Sequence, residues 1–125
     1  MIFHNISGID LGTDTIKIRD KHNKKFMDCI NMIAVRNQNQ IIAIGDEAFE
    51  MYEKNPVNVE VSCPMINGVI ASATNMELVL SHILKRFTSF TQTTSDICMA
   101  SPTNVTPVEQ RAFFNVLSGT IHARF

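Results

Sequence analysis

The segment GIDLGTDTIKI, residues 8–18, gathers the side chains best suited to chemistry. An apolar run ends at Asp10, passes Leu11 and Gly12, and reaches Thr13, Asp14 and Thr15 before alternation resumes at Ile16 and Ile18. Such a strand, turn and strand can hold a phosphate. Gly12 lets the backbone approach an anion, while successive amides and the Thr13 and Thr15 hydroxyls can donate to its oxygens. Asp10, at the strand end, can hold magnesium through water, because hard cations take carboxylate and water oxygens. On these residues alone, a plain hairpin with an aspartate at its strand end is the competing reading.

Other reactive side chains gather into no second centre. His4, His22, His82 and His122 are dispersed and suggest no nucleophilic triad. Cys29, Cys63 and Cys98 are odd in number and far apart, with no C-x-x-C pair, which fits reduced apolar core residues better than a disulfide framework or a zinc site. Glu109 stands three residues after Thr106, with Pro107 between them, so it reads as half of a helix capping box rather than as a catalytic base.

The elements that position the turn follow from periodicity. Residues 3–11 and the stretch around Ile16 and Ile18 read as two strands, and Phe26 to Val35 as a third, bent near Asn31. Ile41 to Ile44 predicts a short strand. DEAFEMYEK predicts a helix with Ala48, Met51 and Tyr52 on one face, ended by Asn55-Pro56. Residues 58–62 predict a short strand, followed by turn residues Pro64, Asn67 and Gly68. From Thr74 as N-cap, Met76, Leu80, Ile83, Leu84 and Phe87 mark an amphipathic helix to about residue 88. Ile97 to Ala100 reads as a buried strand. The last helix starts at Thr106-Pro107, buries Ala112, Phe113, Val116 and Leu117, and stops at Gly119.

Composition bounds the function. In 125 residues, 45% are hydrophobic and 18% charged, the balance of one folded domain rather than a disordered or charged tail. A net charge of -1 leaves no basic field, so nucleic acid is not an expected partner. The first segment lacks a signal peptide's basic start, and no apolar run is long enough to span a bilayer, so membrane contact is expected to be peripheral.

Asp10-Leu11-Gly12-Thr13 after an apolar strand resembles the first phosphate loop of the actin, sugar-kinase and heat-shock-chaperone ATPase superfamily. Finer resemblance lies in IAIGDEAFEMYEKNPVNVEVSCPMINGVIA (42–71) and PTNVTPVEQRA (102–112), which are similar, in order and spacing, to stretches of the MreB/Mbl family of bacterial actin-like rod-shape-determining proteins. Where this chain has Thr15, Cys63, Ser72 and Gln110, that family commonly carries Asn, Arg, Asp and Arg.

The resemblance implies an α/β, RNase-H-like, actin-type ATPase domain, with 1–36 and 72–125 as an incomplete first subdomain and 37–71 as a small inserted one. It implies ATP and magnesium as cofactors of the full-length protein, bound weakly or not at all by this chain alone, with phosphate held at Gly12, Thr13, Asp14, Thr15 and Lys17 and magnesium at Asp10. Lys17 occupies the position of a phosphate-contacting lysine in eukaryotic actin; the competing reading turns Ile16 inward and Lys17 to water. The family's water-positioning carboxylate and second phosphate loop would fall after Phe125, so no catalytic residue is expected in this chain, which is read as a fragment that does not hydrolyse ATP.

The expected partners, again by resemblance, are further copies in a filament, the inner face of the cytoplasmic membrane and cell-wall morphogenesis proteins. Phe90, in the loop TSFTQTTS after the long helix, is the candidate membrane contact, against a reading in which it folds back on that helix. The expected location is cytoplasmic and peripheral to the membrane. Alternatives are a non-enzymatic or degenerate actin-like interaction module and a sugar-kinase-like domain.

Overall fold

The computed structural model describes residues 5–20, 26–54, 56–88, 95–100 and 105–120. Strands β1 (Asn5–Leu11), β2 (Thr15–Asp20), β3 (Phe26–Ile30) and β9 (Ser95–Ala100) form a four-stranded sheet in the order β3-β2-β1-β9. β2 is antiparallel to both β1 and β3, and β9 runs parallel to β1, so the sheet is mixed. This is the α/β class expected.

Alternation along β1 and β2 decides which face is covered. Ile9, Leu11, Ile16 and Ile18 are buried, while Gly8, Asp10, Lys17 and Arg19 between them are exposed. A strand's side chains point to opposite faces in turn, so one register serves core and site together. On the buried face lie helices α2 (Ala73–Thr88) and α3 (Pro107–Thr120), which pack on each other. Met76, Val79, Leu80, Ile83, Leu84 and Phe87 of α2 meet Phe113, Val116 and Leu117 of α3 in one core with the sheet.

The helix ends follow short-range chemistry. At α3 the Thr106 amide donates to Glu109 Oε2 at 2.9 Å and the Glu109 amide donates to Thr106 Oγ1 at 3.2 Å, the expected reciprocal box. The helix continues through Gly119 to Thr120 rather than stopping at the glycine. At α2 the cap is Ser72, not Thr74: its Oγ accepts from the Asn75 amide at 3.3 Å. The reason lies upstream, where the Ala71 and Ser72 amides both donate to Pro64 O, at 2.8 and 3.2 Å, and so fix the chain's entry two residues early.

The apolar run from Phe26 to Val35 does not form one bent strand. It breaks at Asn31-Met32, and β4 (Ile33–Arg36) joins a second sheet with β5 (Gln40–Ile44) and β6 (Val59–Ser62) in the order β5-β4-β6. Asn37 and Gln38, at φ 52° and 68°, make the tight β4–β5 turn, where the Asn39 amide donates to Arg36 O at 3.3 Å. Helix α1 (Asp46–Lys54) lies on this sheet through a small core of Ala34, Ala43 and Ala48. Larger side chains, Met32, Ile42, Met51, Val59 and Val61, pack around it only partly buried, and Tyr52, expected on the buried face, is 60% exposed.

Residues 65–70 form a hairpin of two short strands, β7 (Met65–Ile66) and β8 (Val69–Ile70), around Asn67-Gly68. Both central residues have positive φ, 52° and 79°, the arrangement that suits a two-residue hairpin turn. Met65 is buried in the main core and Ile70 packs against it, so the hairpin sits with the four-stranded sheet.

Candidate functional site

The β1–β2 register sets Asp10 directly opposite Lys17, both exposed on the face away from the helices. With Gly8, Arg19, Cys98 and Ala100 they border an open depression of about 310 Å³. The carboxylate and the ammonium are therefore neighbours beside the turn, where one can hold a hydrated cation and the other face an anion. Burial of Ile16 does turn Lys17 outward, and that same outward face carries Asp10.

The turn itself is tight and tethered. The Gly12 amide donates to Thr15 O at 3.2 Å, so this amide serves the turn rather than an anion. A Cβ on Gly12 would lie 2.5 Å from Thr15 O, which explains the glycine by close approach of backbone to backbone. Thr13 is half-buried, and its Oγ1 accepts from the Gly68 amide at 2.7 Å. A hydroxyl that accepts one bond still has its own proton to donate. Asp14 is exposed and Thr15 half-buried.

Two residues of this arrangement escaped sequence reasoning. Asn31 is fully buried, its Nδ2 donating to Gly12 O and its backbone amide to Asp14 O, each at 2.9 Å. Gly68 fastens Thr13 from the other side. The Asn67-Gly68 pair between two apolar dipeptides was a readable hairpin signal. For Asn31 the signal was an amide-bearing residue between the apolar stretches Cys29-Ile30 and Met32 to Val35.

Among the described residues, no group of three or more His, Cys, Asp and Glu could hold a metal ion. Asp10 alone suits magnesium, which binds through one or two carboxylates, water and a substrate's phosphates. Cys29 is half-buried and its thiol donates to Ile30 O at 3.3 Å. Burial pushes its pKa up, Asp46 and Asp28 push the same way, and Arg86 pulls down. That makes Cys29 a packing residue rather than a nucleophile. Glu109 is engaged in the α3 cap. Phe90 lies outside the described residues.

The model of the family described as MreB/Mbl protein matches residues 4–121. The cell shape-determining protein Mbl of Bacillus subtilis (strain 168) is 33% identical over 109 residues, 84% of this chain and 32% of Mbl. The cell shape-determining protein MreB of Escherichia coli (strain K12) is 30% identical over 118 residues, 89% of this chain and 34% of that protein. The chain thus spans about a third of the curated relatives it matches.

Among solved structures, MreB5 of Spiroplasma citri bound to ADP superposes with a TM-score of 0.83 at 24% identity, over 98% of this chain and 36% of that one. A MamK double helical filament gives 0.75 at 18% identity, over 97% of this chain and 39% of that one. At these identities the likeness shows an actin-like fold. With the family match covering nearly the whole sequence, the chain belongs to the MreB/Mbl family.

Proposed function

We propose that this chain supplies the first phosphate-holding part of an actin-like, ATP-binding filament protein that determines cell shape. The observation that carries this reading is the placement of Asp10 and Lys17 side by side on the open face, next to the tethered Gly12–Thr15 turn. Asp10 would take magnesium through water. The Thr13 and Thr15 hydroxyls and Lys17 would meet phosphate oxygens, and Gly12 keeps the turn tight enough for them to converge. Magnesium would supply charge neutralisation between neighbouring phosphates.

The relatives support the rest of the reading. Two are named cell shape-determining proteins, MreB5 has been solved with ADP and with AMPPNP, and MamK forms a double helical filament. We draw the first subdomain around the four-stranded sheet with α2 and α3, and the small inserted one around the β5-β4-β6 sheet with α1. The proposed setting is cytoplasmic, with filaments lying on the inner membrane face among cell-wall morphogenesis proteins. No helix among the described residues is long and apolar enough to cross a membrane, so contact would be peripheral, with Phe90 as the candidate. Binding rather than hydrolysis is the activity assigned to these residues.

The competing reading is a non-enzymatic interaction module on the same fold, and the exposed Asp14 at the turn favours it, since a carboxylate there repels phosphate. Titration with ATP, with and without magnesium, of the chain extended to the full length of its relatives separates the two. Magnesium-dependent binding that disappears in Asp10→Ala is expected. Equal ATP binding by wild type and Asp10→Ala, or none by wild type, would turn the assignment to the interaction module.

A further inference from the structure

We infer that Asn31 is the positioning residue of the Gly12–Thr15 turn, and that it links the set of that turn to the junction between the two sheets. The first half rests on the turn's reading as a phosphate loop. Asn31, at 0% exposure, is the one buried polar side chain among the residues whose exposure is described. Its side-chain amide and its backbone amide draw in two carbonyls of the same turn, those of Gly12 and Asp14, each at 2.9 Å.

The consequence follows from peptide geometry. In a planar trans peptide the N–H points opposite to the C=O. Holding the Gly12 and Asp14 carbonyls toward Asn31 therefore directs the Thr13 and Thr15 N–H groups away from it, in alternation along the turn. An anion needs donors converging outward and carbonyls withdrawn, and Asn31 imposes that polarity without touching the ligand.

Packing alone does not account for this side chain. Asn31 Oδ1 is buried with no hydrogen-bond partner among the described residues, and its second amide hydrogen reaches only the weak acceptor Met76 Sδ, at 3.7 Å. A leucine of similar size would remove that unmet acceptor. What leucine could not do is donate to Gly12 O.

The same residue stands at the break between the sheets. On one side, the Ile30 amide donates to Asp46 Oδ1 at 3.2 Å; on the other, Met32 O accepts from the Gly45 amide at 2.9 Å. Asp46 and Gly45 begin α1 and end the β5 connection, so residues 30–32 are fastened to the second sheet's unit while Asn31 is fastened to the turn. A shift of the turn is thereby felt at α1.

The test compares wild type, Asn31→Leu and Val79→Ala, the last a buried α2 variant matched to Asn31→Leu by urea midpoint through choice of temperature. MgATP affinity, read in the chain extended to the full length of its relatives, and site-resolved amide exchange are the readouts. Losing one buried hydrogen bond to the turn predicts about tenfold weaker MgATP binding for Asn31→Leu, with Val79→Ala near wild type. It also predicts faster exchange at Gly12 and Gly45 in Asn31→Leu only. Unchanged affinity in Asn31→Leu, or equal losses in both variants, would overturn the positioning role. If wild type binds no MgATP, the phosphate reading fails, and exchange decides the rest: selective loosening of Gly12 and Gly45 upholds the link, uniform loosening refutes it.

Discussion

Replacing Gly12 by alanine puts the close approach at the turn to a quantitative test. The added Cβ would sit 2.5 Å from Thr15 O, and an ordinary contact begins at 3.4 Å, so the turn must open by nearly an ångström. Thr15 O belongs to the backbone of β2, which is paired on both sides, and it cannot swing aside as a side-chain tip would. Opening the turn stretches the 3.2 Å bond from the Gly12 amide to Thr15 O past its useful range. The loss of that bond, about 0.5–1.5 kcal/mol, adds to backbone strain of about 1–3 kcal/mol, for a destabilisation of roughly 2–4 kcal/mol.

Gly68→Ala is the informative comparison. Gly68 has φ 79° but open space where a methyl group would stand, so its cost is the left-handed conformation alone, about 1–2 kcal/mol. Urea unfolding followed by circular dichroism reads both: with a slope of about 1–3 kcal/mol per molar, Gly12→Ala should lower the midpoint by roughly 1–2 M. A midpoint for Gly12→Ala at or above that of Gly68→Ala would show that the turn relaxes freely, and the explanation by close approach would be wrong.

Two further outcomes follow from the same chemistry. Thr106→Ala removes the hydroxyl that accepts the Glu109 amide and should cost about 1 kcal/mol, while Thr106→Ser should retain most of it; equal thermal midpoints for the two variants would deny the cap its role. The raised pKa of Cys29 means that the folded chain keeps this thiol protonated where the unfolded chain has lost the proton. Its contribution is therefore complete below the ordinary thiol pKa and declines as pH rises through that value toward the folded one. Stability measured across this alkaline range should fall less steeply in Cys29→Ala, and parallel profiles for the two proteins would contradict the assignment.

The helices were legible because their buried positions repeat at short range: Met76, Leu80, Ile83, Leu84 and Phe87 need only one another's spacing to declare a face. The sides taken by Asp10 and Lys17 were legible for a similar reason, since strand alternation fixes them, and Gly12 was legible as the turn residue between the two strands. The division at Asn31-Met32 was not. Phe26 to Val35 is apolar apart from Asp28 and Asn31, and what separates Ile30 from Ile33 is the identity of their partners, β2 in one case and β5 with β6 in the other. Pairing across such distances leaves no local mark. The cap of α2 falls at Ser72 rather than Thr74 because both types can cap and the place of entry is set by Pro64 O, eight residues upstream of Ser72. Tyr52 stays exposed because a helical face predicts burial only if its partner is broad enough, and the fully buried core under α1 is limited to Ala34, Ala43 and Ala48.

The exposed Asp14 and the tethers around it pull binding in opposite directions, and their magnitudes decide between them. A carboxylate near a phosphate charge at about 5 Å in a water-like medium repels it by about 1 kcal/mol, less with salt. Ordering a residue's backbone costs about 1–2 kcal/mol, and a turn already held in place does not incur that cost again when a ligand arrives. Thr13 is fastened through Gly68, and the Gly12 and Asp14 carbonyls are fastened through Asn31. With two or three residues ordered in advance, the saving exceeds the repulsion. Asp14 is then a modest opponent of phosphate, which Asp14→Asn should relieve only slightly, whereas releasing Asn31 removes the larger effect. The order of those two changes, with Asn31→Leu weakening MgATP binding more than Asp14→Asn strengthens it, follows from pre-ordering and would be reversed if charge at the turn were dominant.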